Sequence, residues 1–125
     1  MATRSYWGGS PTTKVKTYKP KNISQANSNK AAAMDALGKG VCLSITYNGL
    51  PRVVEVHTVG TSSAFRAAMS VLQVDGQSST APIPDWRLFC FDECFDVELT
   101  DISSKAPRPG YKRGAKQFRK IEGEI

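Results

Sequence analysis

Over residues 41–59 the chain alternates: Val41, Leu43, Ile45 and Tyr47 interleave with Cys42, Ser44 and Thr46, the two-residue period of a half-buried strand. Asn48-Gly49 follows, and both residues tolerate the positive φ of a tight hairpin turn. Pro51 comes at once, so the return strand is expected to start irregularly or to lie at a sheet edge. On a regular strand, Arg52, Val54, Val56 and Thr58 share one face and Val53, Glu55, His57 and Val59 the other. One short strand thus carries an Arg, a Glu and the single His of the chain, and a functional reading has to account for them.

The rest of the pattern fills in around this hairpin. Before it, 24–37 reads as a helix: Ser24 or Asn27 caps its start, Ala31-Ala32-Ala33 favours it, and Gly38 with Gly40 stops it. Ala33, Met34 and Leu37 form a narrow apolar stripe, which suits a helix lying over one end of a sheet. After the hairpin, 60–63 reads as a loop and 65–74 as a strand apolar on both faces, hence central and well covered. A polar loop runs from Asp75-Gly76 to Pro84, and strands are expected at 86–91 and 95–99. About five short antiparallel strands at this spacing predict a small barrel or rolled sheet. Pro107 to Gly110 sets off a basic segment, 111–121, whose Ala115, Phe118 and Ile121 fall at helical spacing. That apolar face is too small for a membrane anchor, so the helix is expected to dock on the barrel.

Residues 1–22 are rich in Ser, Thr, Gly, Pro and Lys and read as a flexible basic arm. Tyr6 and Trp7 within it either stack on bases or tuck onto the domain, and 14–19 also alternates like a short edge strand. The expected organisation is therefore the arm at 1–22, a sheet domain with its preceding helix at 23–104, and a basic helix or tail at 105–125.

Charge sharpens this division. The formal net charge of +6 is +6 over residues 1–34, −5 over 35–104 and +5 over 105–125. Either the basic ends solubilise an acidic centre, or they meet a polyanion, because scattered Lys and Arg release counterions from phosphates. For the second reading the electrostatic residues are Lys14, Lys16, Lys19 and Lys21 in the arm, with Lys112, Arg113, Lys116, Arg119 and Lys120 in the tail. No apolar run approaches the ~18 residues of a membrane helix, and the N-terminal stretch lacks the apolar segment of a secretory signal. Three cysteines without a dense framework fit a reducing, cytoplasmic setting.

Catalytic chemistry finds little support. Cys42, His57, Cys90 and Cys94 are the only zinc candidates, but no Cys-x-x-Cys pair exists and Cys90 lies in an apolar strand. No phosphate loop, GxGxxG, paired-carboxylate or nucleophile motif is present. The acids Asp92, Glu93 and Asp96 read as an exposed turn. No metal, cofactor or enzymatic activity is expected.

Several segments, taken in order, resemble the WYL domain family. They are Ile45-Thr46-Tyr47-Asn48-Gly49, Arg52-Val53-Val54-Glu55-Val56-His57, Phe65-Arg66-Ala67, Gln73-Val74-Asp75-Gly76, Trp86-Arg87-Leu88-Phe89 and Asp92-Glu93. With Pro109-Gly110-Tyr111-Lys112-Arg113 near the end, the sequence looks like a compact stand-alone branch found in bacteria and their phages. The similarity spans about residues 41–120. It implies a mainly β fold, an SH3-like (Sm-like) roll or barrel of five antiparallel strands with one N-terminal and one C-terminal helix. It also implies binding of single-stranded nucleic acid or a nucleotide-type ligand in a regulatory or phage-defence role. By the same resemblance the ligand residues are Tyr47, Arg52, His57, Arg66, Gln73, Trp86 and Phe89. The Trp-Tyr-Leu run that names the family is absent, with Phe65-Arg66-Ala67 in its place, and Glu93 stands where an Arg is common.

The residues themselves leave two readings of that set. Arg52 and Arg66 either form internal ion pairs with Glu55 or a loop acid, or present forks to a phosphate, with His57 and Gln73 as donors and Trp86 or Phe89 as a stacking face. A non-catalytic protein-interaction module, such as a phage protein acting on a host factor, is the alternative function.

Overall fold

The computed structural model describes residues 23–77 and 82–125, so the arm and its Lys14, Lys16, Lys19 and Lys21 lie outside the described residues. Helix α1 (Ile23–Lys39) leads into β1 (Val41–Tyr47), β2 (Leu50–Ser62), β3 (Ala67–Gly76), β4 (Asp85–Cys90), β5 (Cys94–Ser103) and β6 (Phe118–Glu124). All pairings are antiparallel, in the order β4-β3-β2-β1-β5, with β6 joined to β2. The fold is mainly β, with one helix and a six-stranded sheet among the described residues. No helix among them is long and apolar enough to cross a membrane.

The β1–β2 hairpin forms where the alternation predicts it, with Asn48 at φ 52° and Gly49 at φ 75° in the turn. Helix α1 stops at Gly40, whose N–H donates to Ala36 O at 2.9 Å. Ser24 and Asn27 stand inside the helix instead of capping it. Buried Asn29 ties α1 down, donating from Nδ2 to Phe91 O (3.0 Å) and Cys94 O (2.9 Å) in the turn between β4 and β5. The small Ala33 and Ala36 let the helix backbone approach a core of Leu43, Ile45, Val56 and Phe91, and each such large apolar side chain contributes roughly 1.5–3 kcal/mol by leaving water.

Three expectations are corrected. The sheet has six strands, not five, and it is not closed into a barrel. β2 continues through the expected loop to Ser62, so Pro51 sits near the start of a central strand and not at an edge. The expected C-terminal helix is absent: Phe118–Glu124 is a strand. β1 covers β2 only as far as Val54, and β6 pairs with the uncovered half from Thr58 to Ser62. A helix this short is marginal in water, whereas that open edge offers backbone partners at once. Gly60 permits the approach, since a Cβ there would stand 2.1 Å from Lys120 O.

Candidate functional site

The seven residues expected to form one ligand site are divided between the two faces of the sheet. On the helix-covered face, Arg52 is 4% exposed and lies between two rings, with its guanidinium carbon 5.6 Å from the Tyr47 centroid and 5.2 Å from that of Phe89. It donates to Gln73 Oε1 (3.1 Å) and Tyr47 O (3.2 Å). No carboxylate among the described residues pairs with it, its Nε has no partner, and burial and nearby Arg87 pull its pKa below the usual value. Tyr47, Arg52, Gln73 and Phe89 are therefore one cluster, set into the core.

Arg66 belongs to a second group at the sheet's end. Its guanidinium meets Asp92 and, at 2.6 Å, Glu93, while Tyr47 Oη donates to Glu93 at 3.0 Å. Those two hydrogen-bonded carboxylates raise the Arg66 pKa further despite its partial burial. The Cys90 thiol lies near the same acids, the one grouping of metal-ligand type among the described residues. Arg66 already supplies the cationic charge there. Cys42 and Cys94 are buried, and desolvation pushes both thiols up. The four residues weighed for zinc are not gathered together.

The opposite face carries His57 and Trp86, and a β-bulge sets it up. The β2–β3 register shifts between Val56 and Thr58. Strict alternation would put Thr58 with Val56 and Val59 with His57. Instead Val56 and Val59 both enter the core, while His57 and Thr58 both turn outward to Tyr111. The Tyr111 hydroxyl lies 2.8 Å from Thr58 Oγ1, 3.2 Å from His57 O and 3.3 Å from Glu124 Oε2, which fixes its ring.

Residues 104–111 strap across this face. Glu55, 2% exposed, accepts from Arg108 Nε (2.8 Å) and Nη2 (3.2 Å) and from Lys105 N (2.9 Å). Burial alone would raise the Glu55 pKa, but these donors outweigh it and hold the carboxylate below its ordinary value. Arg108 N donates to His57 Nε2 at 3.1 Å, so the ring proton sits on Nδ1, 3.0 Å from Glu55 O. Full burial keeps this imidazole neutral and its pKa low.

His57 forms the floor of an aromatic group, its ring 4.7 Å from Trp86 and 4.9 Å from Tyr111. Trp86 and Tyr111 themselves are 6.3 Å apart at 24°. They border a cleft of about 210 Å³ with Ser70, Lys112 and Gln117. A ring inserted between them would need ~7 Å, two contacts of ~3.5 Å. The pair therefore leaves no slot for a third ring between its members. Comparison with models of known protein families, with curated proteins and with solved structures finds no match.

Tyr111, Arg108, Glu55 and Thr58 complete this face and were not among the expected ligand residues. The legible signal was Tyr111 beside Lys112-Arg113, an aromatic on a basic segment. Of the basic tail, Lys112 lines the cleft, Arg113 reaches Glu124 (3.4 Å) and Ile125 O (2.5 Å), and Lys116, Arg119 and Lys120 are exposed.

Proposed function

We propose that this protein is a non-catalytic, WYL-like ligand-binding domain on an SH3-like roll, which takes a nucleobase of single-stranded nucleic acid or a nucleotide-type ligand at the Trp86–Tyr111 cleft. The observation that carries the reading is this near-parallel aromatic pair, rigidly held over His57, with Lys112 at its rim. Stacking on aromatics is tolerant of sequence, and a rim cation suits the adjoining phosphate. Size decides how much of the ligand enters. The cleft of about 210 Å³ falls below the ~300–1,000 Å³ of pockets that engulf a whole small molecule. It suits one ring system, with sugar and phosphate running out over the basic 111–120 surface. Arg52 and Arg66, held internally, serve the fold in this reading.

Titrating labelled single-stranded DNA and RNA at several salt concentrations tests it. Binding should weaken with salt, and Trp86→Ala should weaken it at every salt concentration. No binding at low salt rejects the proposal. A complex recovered from nuclease-treated lysate, without oligonucleotide binding, would favour the protein-interaction alternative.

A further inference from the structure

Phe65 lies outside the cleft and outside every contact described so far. It sits in the turn between β2 and β3, closed by Phe65 N to Ser62 O (2.9 Å) and Ser62 N to Arg66 O (2.7 Å). Its φ is 65°, a left-handed conformation that a bulky side chain rarely adopts. The ring is nonetheless 72% exposed, so burial does not offset that strain. A guanidinium lies over it, with the Arg119 carbon 4.3 Å from the ring centroid. An exposed aromatic held in a fixed turn beside a cation offers a base a stacking face and the adjoining phosphate a charge.

Its position links it to the cleft. Ser63 N donates to Gln117 O at 2.8 Å, and Gln117 lines the cleft. Gln117 ends the turn that leads into β6 and Arg119 is the second residue of that strand, and both are exposed. Two residues of chain span at most ~7 Å, about two stacked nucleotide steps of ~3.4 Å. The electrostatics agree, since residues 111–120 hold five Lys or Arg and no acid. The nearby acids Asp92 and Glu93 are engaged by Arg66.

We infer that Phe65 with Arg119 is a second base-stacking platform, so that the ligand is a single strand of roughly three or more nucleotides and not a lone nucleotide. This rests on the nucleobase reading of the cleft. The test compares the affinity of the full chain for thymidine monophosphate and for the oligonucleotides dT3 and dT10 at low salt, by competition against a labelled strand. The strand should bind far more tightly than the mononucleotide, with most of the gain reached by dT3. Phe65→Ala should erase on the order of 5- to 100-fold of that advantage, and Phe65→Trp should restore it. Thermal melting of Phe65→Ala, equal to or above wild type, would set aside a folding defect. If Phe65→Ala keeps the full length advantage while Trp86→Ala loses binding, the platform is refuted and the cleft reading stands. Equal affinity for mononucleotide and strand refutes the platform too, and no binding of any probe removes both.

Discussion

Glu55 and Arg108 stand 53 positions apart in sequence, yet the carboxylate takes both Nε (2.8 Å) and Nη2 (3.2 Å) of the guanidinium. This two-pronged pair fastens the 104–111 strap across β2. That strap runs into Tyr111, one wall of the cleft, whose ring is held by Thr58, His57 O and Glu124.

The pair is therefore expected to hold the strap as well as the fold. Glu55→Gln keeps the shape but loses the charge-assisted bonds, and should cost about 1.5–3 kcal/mol. Chemical denaturation measures the loss, and limited trypsin digestion should show faster cleavage after Lys105, since Pro109 protects the bond after Arg108. Unchanged stability and unchanged cleavage would refute this role.

Acid should loosen the same face, and the sign follows from two lowered pKa values. Glu55 lies below its ordinary 4.5, so its contribution is full above that value and fades as pH falls through the folded value. His57 lies below 6.5; its neutral form contributes fully above 6.5 and is lost as pH falls towards its folded value. Protonation would also aim a second N–H at the Arg108 N–H. Urea midpoints should decline once the pH drops below 6.5. His57→Gln, an acceptor without a charge, should flatten the upper part of that decline. An identical pH profile in the variant would count against the assignment.

Tyr111 and Lys112 should separate stability from binding. Tyr111→Phe keeps the ring and loses the hydroxyl contacts to Thr58 and Glu124, at about 0.5–1.5 kcal/mol, with nucleic-acid binding retained. Lys112→Ala should melt as wild type, weaken binding across all sequences and lower the salt slope by about 1. Calorimetry and salt titrations check the two. A Lys112→Ala variant with the wild-type slope would remove Lys112 from the interface.

Gly60 marks where β6 crosses closest to β2. In Gly60→Ala the new Cβ would meet Lys120 O at 2.1 Å, forcing the strands apart. Hydrogen exchange at 119–124 should accelerate and the melting temperature should fall. Wild-type protection there would show that β6 accommodates the methyl.

Arg52 offers a further case. Replacing both partners of a buried polar pair by apolar chains is often close to neutral, whereas removing one leaves the other unsatisfied. Arg52→Met leaves the fully buried Gln73 Oε1 and the Tyr47 O without their guanidinium donors and should cost about 1–3 kcal/mol by chemical denaturation, as should Gln73→Ala, which removes the guanidinium's side-chain acceptor. Wild-type stability in Arg52→Met would show that these acceptors find other donors.

Much of the fold was legible because its signals are local. The 41–47 alternation and Asn48-Gly49 set the first hairpin, and the apolar 65–74 run marked a strand covered on both sides, although its first two residues form the turn and the strand starts at Ala67. The Ala-rich stretch marked the helix. The candidate site was legible only in pieces. Trp86 and His57 could be named, but alternation put His57 with Val59 and missed Thr58 beside it. A bulge leaves no mark in a hydrophobic pattern, because it arises from how β2 fits β3 and not from β2 alone.

The sequence by itself determined the helix, the first hairpin and the cores of β3, β4 and β5, that the ends are basic around an acidic centre, and which polar residues needed partners. These depend on side-chain chemistry and on neighbours a few positions away. Only the tertiary structure decided which partners they found. Glu55 went to Arg108 and not to Arg52, Arg66 to Asp92 and Glu93, and the seven expected ligand residues were parted between two faces. It also turned 118–124 from a helix into a strand, because the half of β2 that β1 leaves bare offers backbone hydrogen bonds to whichever segment reaches it.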